Sequence, residues 1–442
     1  MSRTTRFGLI ASASVAAFSG VTLADDTTMS AEQMAARIAE LEAKMAQFTN
    51  GDTWLTEQRA DEIRGLVQDV LADADTRASL LQSGTTAGYD DGFVLGSADG
   101  MFSLKINGLV QARAIYNNAS GADAGVDENR FGFENTRTRL NFSGNVGEQW
   151  HYNVRGTFGP YGAGDSGDFE LEDAYLVHKY GDSGWMSMIG QFRAPGAREW
   201  LVDEGNQLAV ERSNVVYNQG TAVYVQGAGM AYMQDTFRAV GAVSNGAQGG
   251  SNGSALQRDT EFAFSARAEF LLSGTWEQFE DFTSPMGSEQ GMLLGASFHW
   301  ENGEYGDATP DELEVTQVTV DFSWENDGWN VYGGAYYTTF DDDNTIDSNV
   351  FAVVLQGGLY LNADWELFAR YEWQDFDADN VEDLSLVTIG VNNYIGGNAK
   401  WTTDVGFGLD EVEAANGVTG WRADADDEDG QFVIRSQFQL SF

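Results

Sequence analysis

From residue 100 to its end, this chain of 442 residues alternates apolar and polar side chains with a period of two. A strand patterned in this way has one apolar and one polar face, because successive side chains point to opposite sides. In WHYNVRGTFG, residues 150–159, Trp150, Tyr152, Val154 and Phe158 oppose His151, Asn153, Arg155 and Thr157. In VTQVTVDFSW, Val318, Val320, Phe322 and Trp324 oppose Gln317, Thr319, Asp321 and Ser323. DWELFARYEW and WTTDVGFGL repeat the rule, and about sixteen such segments lie between Phe102 and Phe442. Each needs somewhere to put its apolar face.

The connections narrow the choice. Short turns fall near 147–149, 181–184, 234–236, 326–328, 362–364 and 396–398, and longer stretches alternate with them at 117–129, 160–168, 194–219, 245–260, 302–312, 341–348, 375–383 and 410–430. One segment, 272–290, is long where a short turn is due. An antiparallel up-and-down barrel, with tight turns at one end and long loops at the other, produces this rhythm. A soluble sandwich or propeller also alternates. However, Trp150, Trp300, Trp324, Trp329, Trp365, Trp373 and Trp401 stand at strand termini on the apolar face, where membrane barrels carry aromatic girdles. No blade-like repeat of fixed length recurs. The expected fold is an all-β membrane protein, an antiparallel transmembrane β-barrel of about 16 strands spanning 93–442, with lipid outside and water within.

The final residues, QFVIRSQFQLSF, then make a closing strand. Phe432, Ile434, Phe438, Leu440 and Phe442 are expected to face lipid, and Arg435, Gln437, Gln439 and Ser441 the interior. An open edge in hydrocarbon would leave backbone groups unpaired at several kcal/mol each.

Residues 1–24 have the form of a signal peptide, with Arg3 and Arg6 before FGLIASASVAAF and a small-residue cleavage site at Thr22-Leu23-Ala24. Their apolar run is shorter than the ~20 residues that span a bilayer as a helix. In residues 25–50, Met34, Ile38, Leu41, Met45 and Phe48 recur at steps of four and three, which predicts a short coiled-coil helix or a lone amphipathic one. Residues 51–92 predict a second periplasmic helix, about 53–81, and a linker punctuated by Gly84, Gly88 and Gly92.

Acidic residues outnumber basic ones 68 to 24, for a net charge of −44, which argues against nucleic acid as a partner. The absence of cysteine excludes disulfides and thiolate metal sites. There are three histidines and no G-x-S-x-G, H-E-x-x-H or P-loop, so neither an enzyme nor a cofactor is expected. The loops FDDDNTIDSN (340–349), DFDADNVED (375–383) and DADDEDG (424–430) are strongly acidic. With Gly430 as the EF-hand glycine, position one falls on Ala425 and the bidentate position on Ser436, so the most these loops predict is loosely bound Ca²⁺ or Mg²⁺ bridging them or lipopolysaccharide.

Parity places Lys105, Arg113, Arg137, Arg139, Arg155, Arg267, Arg370, Lys400 and Arg435 on the polar faces. A charge facing lipid near the midplane costs ~2–4 kcal/mol, which explains why they point inward but not why they are nearly all arginine. Arginines lining water could offer passing anions successive bidentate contacts. Asp173, Glu269, Asp321, Glu366, Glu372 and Asp404 share the same faces, so cross-strand pairing is the other reading.

The segment GQFRAPGAREWLVDEGNQLAVERS, residues 190–213, follows the fifth strand. Its Gly190-Gln191-Phe192-Arg193, Pro195 and Glu211-Arg212-Ser213, with Arg370-Tyr371-Glu372 and VTIGVNNYIGGNAKWTTDVGF further on, resemble the phosphate-selective porins of the O/P type. The resemblance runs from about Phe93 to the end. It implies a sixteen-stranded homotrimeric barrel of the outer membrane whose third loop folds inward, with Arg193, Arg198 and Arg212 at the constriction. One departure stands out. The family's phosphate channels draw anions in with lysine-rich surfaces, whereas this chain has only Lys44, Lys105, Lys179 and Lys400. Carboxylates at the mouth repel anions at low salt, but at Debye lengths of ~3–8 Å they barely reach a deeper site. The expected function is passive diffusion of small hydrophilic solutes, leaning toward anions or phosphate. The alternative is a non-selective or cation-leaning general porin whose N-terminal helices anchor the barrel to the cell wall.

Overall fold

The computed structural model describes residues 85–119, 127–158, 169–248, 259–304, 312–342, 348–377, 382–396, 398–423 and 430–442, with a few isolated positions elsewhere. The signal segment, the coiled coil, the second helix and the most acidic loop stretches lie outside the described residues. The larger of the chain's two compact units contains residues 100–442, and it is a closed barrel.

Its strands are β1 (Ser103–Asn118), β2 (Asn129–Val146), β3 (Trp150–Phe158), β4 (Phe169–Lys179), β5 (Trp185–Arg193), β6 (Tyr224–Met233), β7 (Phe237–Ser244) and β8 (Asp259–Ser273). They continue as β9 (Gly291–Glu304), β10 (Glu312–Asn326), β11 (Trp329–Asp342), β12 (Ser348–Tyr360), β13 (Trp365–Asp375), β14 (Leu384–Tyr394), β15 (Ala399–Gly408) and β16 (Phe432–Ser441). Each pairs antiparallel with the next, as the alternating turns and loops require. The short strand Phe93–Ser97 adds to the start of β1, pairing Phe93 with Ile106.

Alternation sorts the two faces. On β10, Gln317, Thr319, Asp321 and Ser323 are buried, while Val318, Val320, Phe322 and Trp324 are exposed on the outside. On β16, Arg435 is 0% exposed and Phe438 49%. Outward tryptophans gather near the turn end, where Trp324 packs on Trp329 at 5.0 Å and Trp365 on Trp401 at 6.4 Å. The turns rely on glycine where the backbone goes left-handed, as at Gly147 (φ 71°) and Gly328 (φ 77°).

The last strand does close the ring. β16 pairs with β1 from Phe432↔Asn118 to Ser441↔Leu109. Phe442 seals the seam in both directions: the Gly108 N–H donates to its carbonyl at 2.9 Å, and its own N–H donates to the Gly108 carbonyl at 3.1 Å.

Two departures from a plain cylinder shape the interior. Above Gln191 the fifth strand leaves the fourth: their last pair is Ala174↔Gln191, while β5 and β6 stay together up to Arg193↔Tyr224. The Gln191 side-chain amide caps the gap by donating to the carbonyls of Leu171 (2.7 Å) and Glu172 (2.9 Å). Gly190, at φ 134°, allows the break, since a Cβ there would lie 2.2 Å from the Ala174 carbonyl. The hairpin is thereby freed to send residues 194–223, hereafter L3, into the lumen. The second departure is the overlong turn-end segment between β8 and β9, which contains a short 3-10 helix, Trp276–Glu280, and also turns inward.

Closure leaves little room at the seam. A Cβ on Gly108 would meet Phe442 Cζ at 2.6 Å and the Arg139 carbonyl at 2.7 Å. Gly108→Val is therefore expected to cost about 1–3 kcal/mol through overpacking. The readout is the temperature at which the folded band converts to the unfolded one on a semi-native gel. A midpoint equal to the parent's would contradict the seam packing.

Candidate functional site

L3 is short of regular structure and rich in alternating charge. It holds the helix Arg198–Leu201, a 3-10 turn at Glu204–Asn206, and the helix Asn214–Asn218, whose N-terminus is capped by Ser213 accepting from the Val216 N–H. So short a segment has no core of its own. It is fixed by packing Trp200, Leu201, Leu208, Val215 and Val216 in one buried apolar cluster with wall residues such as Tyr332, Tyr336 and Phe368, and by charge-assisted contacts to other inward-facing residues, which are the strong class of hydrogen bond.

Three carboxylate nodes carry it. Glu204 takes Arg212 from L3 at 2.6 Å, Arg193 at the end of β5 at 3.1 Å, and Arg139 from β2. Glu211 is held by a bidentate Arg137, at 2.7 and 2.9 Å, and by Arg113 of β1 at 2.9 Å. Across the lumen, Asp321 of β10 accepts the Arg198 backbone N–H at 3.1 Å and a bidentate Arg267 at 2.7 and 2.8 Å. Arg267 also donates to the Gly196 carbonyl at 3.1 Å.

Further ties come from the last strands. Arg435 grips Asp404 in bidentate fashion, at 2.7 and 2.9 Å, and Asp404 in turn accepts the Val210 N–H at 3.1 Å. Arg370 donates to the Glu211 carbonyl at 2.7 Å and pairs with Glu372 at 2.8 Å, while Glu372 accepts the Asn214 N–H at 2.6 Å. Arg155 reaches Asp173 at 2.6 Å and Asp203 at 2.8 Å. L3 thus crosses the lumen from β1 and β2 to β10.

All ten arginines singled out in the sequence therefore converge on this one region, none on the outer face, and each is buried against a carboxylate. Of the same-face carboxylates, Asp173, Glu269, Asp321, Glu372 and Asp404 pair with arginine. Glu366 instead accepts from Tyr394 at 2.7 Å and from Asn392 and Asn330, both at 3.1 Å. Glu199 and Glu204 of L3 were not singled out in the sequence, and Glu211 entered only as part of the family motif, without a partner. The available signal was their interleaving with Arg198 and Arg212 along one segment.

Burial alone would raise the Glu204 carboxyl, but Arg139, Arg212, Arg193 and Arg137 outweigh it and hold that group well below its ordinary value. Glu211 is likewise held down, with Arg137 and Arg113 overcoming burial. Glu199 goes the other way: burial pushes it up in spite of Arg370 and two hydrogen bonds from Ser213.

The connection between β15 and β16 covers L3 from the loop end. Its Val418 and Thr419 carbonyls accept from Arg113 and Arg435, both at 2.6 Å, and Asn214 of L3 accepts from the Asn416 N–H at 3.1 Å and the Thr419 hydroxyl at 2.9 Å. Toward the turn end, below the L3 tip, lies a cavity of about 340 Å³ lined by Asn107, Asn141, Arg139, Arg155, Lys400 and Asp203, among others. Lys400 Nζ holds the tip by donating to the carbonyls of Gly205 (3.2 Å) and Gln207 (2.9 Å).

Ser265, His299 and Glu301 form a hydrogen-bonded file, with His299 contacts of 2.7 Å to Ser265 Oγ and 3.1 Å to Glu301 Oε2. Ser265 is 1% exposed, so the file is a sealed polar seam between β8 and β9, closed to a substrate. Among the described residues, no group of three or more His, Asp or Glu side chains is arranged to hold a metal ion.

Comparison with known proteins adds the following. Residues 110–440 match the family model for phosphate-selective porin O and P. The fold is similar to an anion-selective porin from Comamonas acidovorans, with a TM-score of 0.58 at 13% identity over 77% of this chain and 100% of that one. It is also similar to the outer membrane channel DcaP of Acinetobacter baumannii, with a TM-score of 0.52 at 15% identity over 81% and 100%. A loop-deletion form of OmpT from Vibrio cholerae gives 0.52 at 12% identity over 77% and 100%. No curated protein sequence matches.

The nodes can be tested directly. Glu204→Gln leaves buried guanidinium groups without their anion and is expected to destabilise the fold by about 3–5 kcal/mol. Because the folded Glu204 lies below its ordinary 4.5, its contribution is complete above that value and disappears as pH falls through the folded one. The parent's thermal midpoint should therefore drop on acidification below the ordinary carboxylate range. The variant should show a shallower acid limb, and identical limbs would refute the assignment.

Proposed function

This chain belongs to the phosphate-selective porin O and P family, and from that premise we propose how its outer-membrane channel passes solutes. It is a water-filled pore for passive diffusion of small hydrophilic solutes, with L3 as its constriction. The observation that carries this reading is the L3 segment itself, anchored wall to wall inside a closed barrel by Arg–carboxylate pairs. A polar interior of this kind is what hydrated solutes need, and the narrowest charged ring governs which ions pass.

The pairing bears on selectivity. Because the constriction arginines are matched by carboxylates, their field on a passing ion is largely cancelled at close range, while the net charge of −44 favours cations near the mouths. The reading that best fits is a general channel with a weak lean to cations. A second reading, a lean to anions or phosphate, draws support from the convergence of ten arginines on one eyelet, where a passing anion could exchange for a bound carboxylate. The apolar outer face suits lipid, lipopolysaccharide and two further copies in a homotrimer. The N-terminal helices would supply a tether to the cell wall, which deletion of residues 30–84 would release with conductance intact.

Planar-bilayer recording tests the channel. Refolded protein that gives no conductance steps would sink it. In a KCl gradient the reversal potential is expected on the cation side, and Glu211→Gln, which releases Arg113 and Arg137, should move it toward anions. A parent reversal on the anion side, reduced by Arg193→Ala or Arg212→Ala, would favour the second reading.

A further inference from the structure

The segment between β8 and β9 sits where every neighbouring connection is a tight turn, yet it runs from residue 274 to 290. It does not hang below the barrel. Phe279 and Phe282 are 3% and 1% exposed, and the Phe282 ring packs against Tyr332 of β11 at 4.9 Å. Both feet are pinned to rim turns: Trp276 Nε1 donates to the Gln234 carbonyl at 3.2 Å, and Ser284 Oγ to the Asn326 carbonyl at 2.6 Å. Between them the chain reaches across the lumen mouth. Thr283 Oγ1 lies 2.8 Å from Tyr360 Oη of β12, 3.1 Å from Glu366 Oε1 of β13 and 3.3 Å from Tyr394 Oη of β14.

Its upper surface is joined to L3. The Phe282 N–H donates to the Asn206 carbonyl at 3.2 Å, and Asn206 Nδ2 donates to the Glu280 carbonyl at 3.3 Å. Arg198 is the bridge. One Nη donates to Ser323 Oγ on the wall at 3.0 Å, and the other donates to the Phe279 carbonyl at 3.0 Å and to the Asp281 carbonyl. The guanidinium also lies 4.2 Å from the Phe282 ring centroid, a cation–π distance. One side chain thus ties L3, the wall of β10 and the turn-end segment together.

We propose that residues 274–290 form the lower half of the constriction, latched beneath L3 by Arg198, so that two loops entering from opposite ends set the pore's size limit. Arg198 is then a positioning residue rather than a contact for solute. The proposal rests on the channel reading above and adds a second element to it.

Arg198→Met keeps length and bulk but removes the latch. Single-channel conductance of this variant is expected to rise roughly twofold, since the narrowest section limits the current. Liposome swelling should also admit larger sugars than the parent does. The chain has no native cysteine, so Asn206→Cys with Asp281→Cys can restore the latch covalently in the same variant. Oxidation should return conductance to the parent value, and reduction should raise it again. Equal conductance and equal sugar limits in both redox states and in the parent would overturn the proposal, whereas a silent parent would instead overturn the channel reading. Should Arg198→Met fail to insert, the cysteine pair in the parent background decides the matter. Oxidation must then quiet open-channel fluctuations relative to the reduced form, and equal noise overturns the proposal.

Discussion

Hydrocarbon offers no partner to a backbone N–H or carbonyl, and the rest of this molecule follows from that constraint. It forces the sheet to close, so β16 must find β1, and the reciprocal pair between Gly108 and Phe442 completes the ring. Closure in turn creates an interior. Because side chains alternate, the face opposite the lipid is committed to that interior over the full height of every strand. A polar wall around a closed space is the precondition for everything L3 does.

Inside, the balance of forces differs from that of a soluble core. Buried ion pairs often gain little over well-packed apolar groups, since desolvation of both charges opposes their attraction. Here, though, the arginines and carboxylates line a lumen in which an apolar filling would exclude solute altogether. What the pairs supply is position. Glu204 and Glu211 each take guanidinium groups from different elements, and Asp321 takes that of Arg267 together with the Arg198 backbone N–H, so these nodes fix where L3 sits while its apolar side chains pack on the wall. Removing a node's carboxylate would leave its guanidinium groups buried short of an anion, which makes the arrangement specific even where its net stabilisation is small. The same contacts explain why so many arginines lie inward: a planar fork can hold a carboxylate and a carbonyl at once, as Arg370 and Arg435 do.

Much of the barrel was legible in the chain. The alternation in VTQVTVDFSW, the girdle tryptophans and the rhythm of turns and loops each report a local rule that holds wherever the strand sits. The inward placement of Arg113, Arg137 and Arg435 followed from parity alone. The site was less legible. That Glu211 would meet Arg137, or Asp321 the backbone of Arg198, depends on which strands face each other across the lumen, and strand separation in sequence says nothing about that. The overlong segment at 272–290 was visible as an anomaly, but its destination was not, because Phe279 and Phe282 would look alike in an exposed hairpin and in an inserted one.

The sequence alone determined a cylinder with oil outside and water inside, because a period of two fixes which side chains share a face regardless of context. Only the tertiary structure decided what the interior contains. It folded L3 across the pore, matched its carboxylates to arginines from distant strands, and brought a second segment up beneath it. The physical reason is one of range: facing is a property of neighbouring residues, whereas pairing across a lumen is a property of the closed ring.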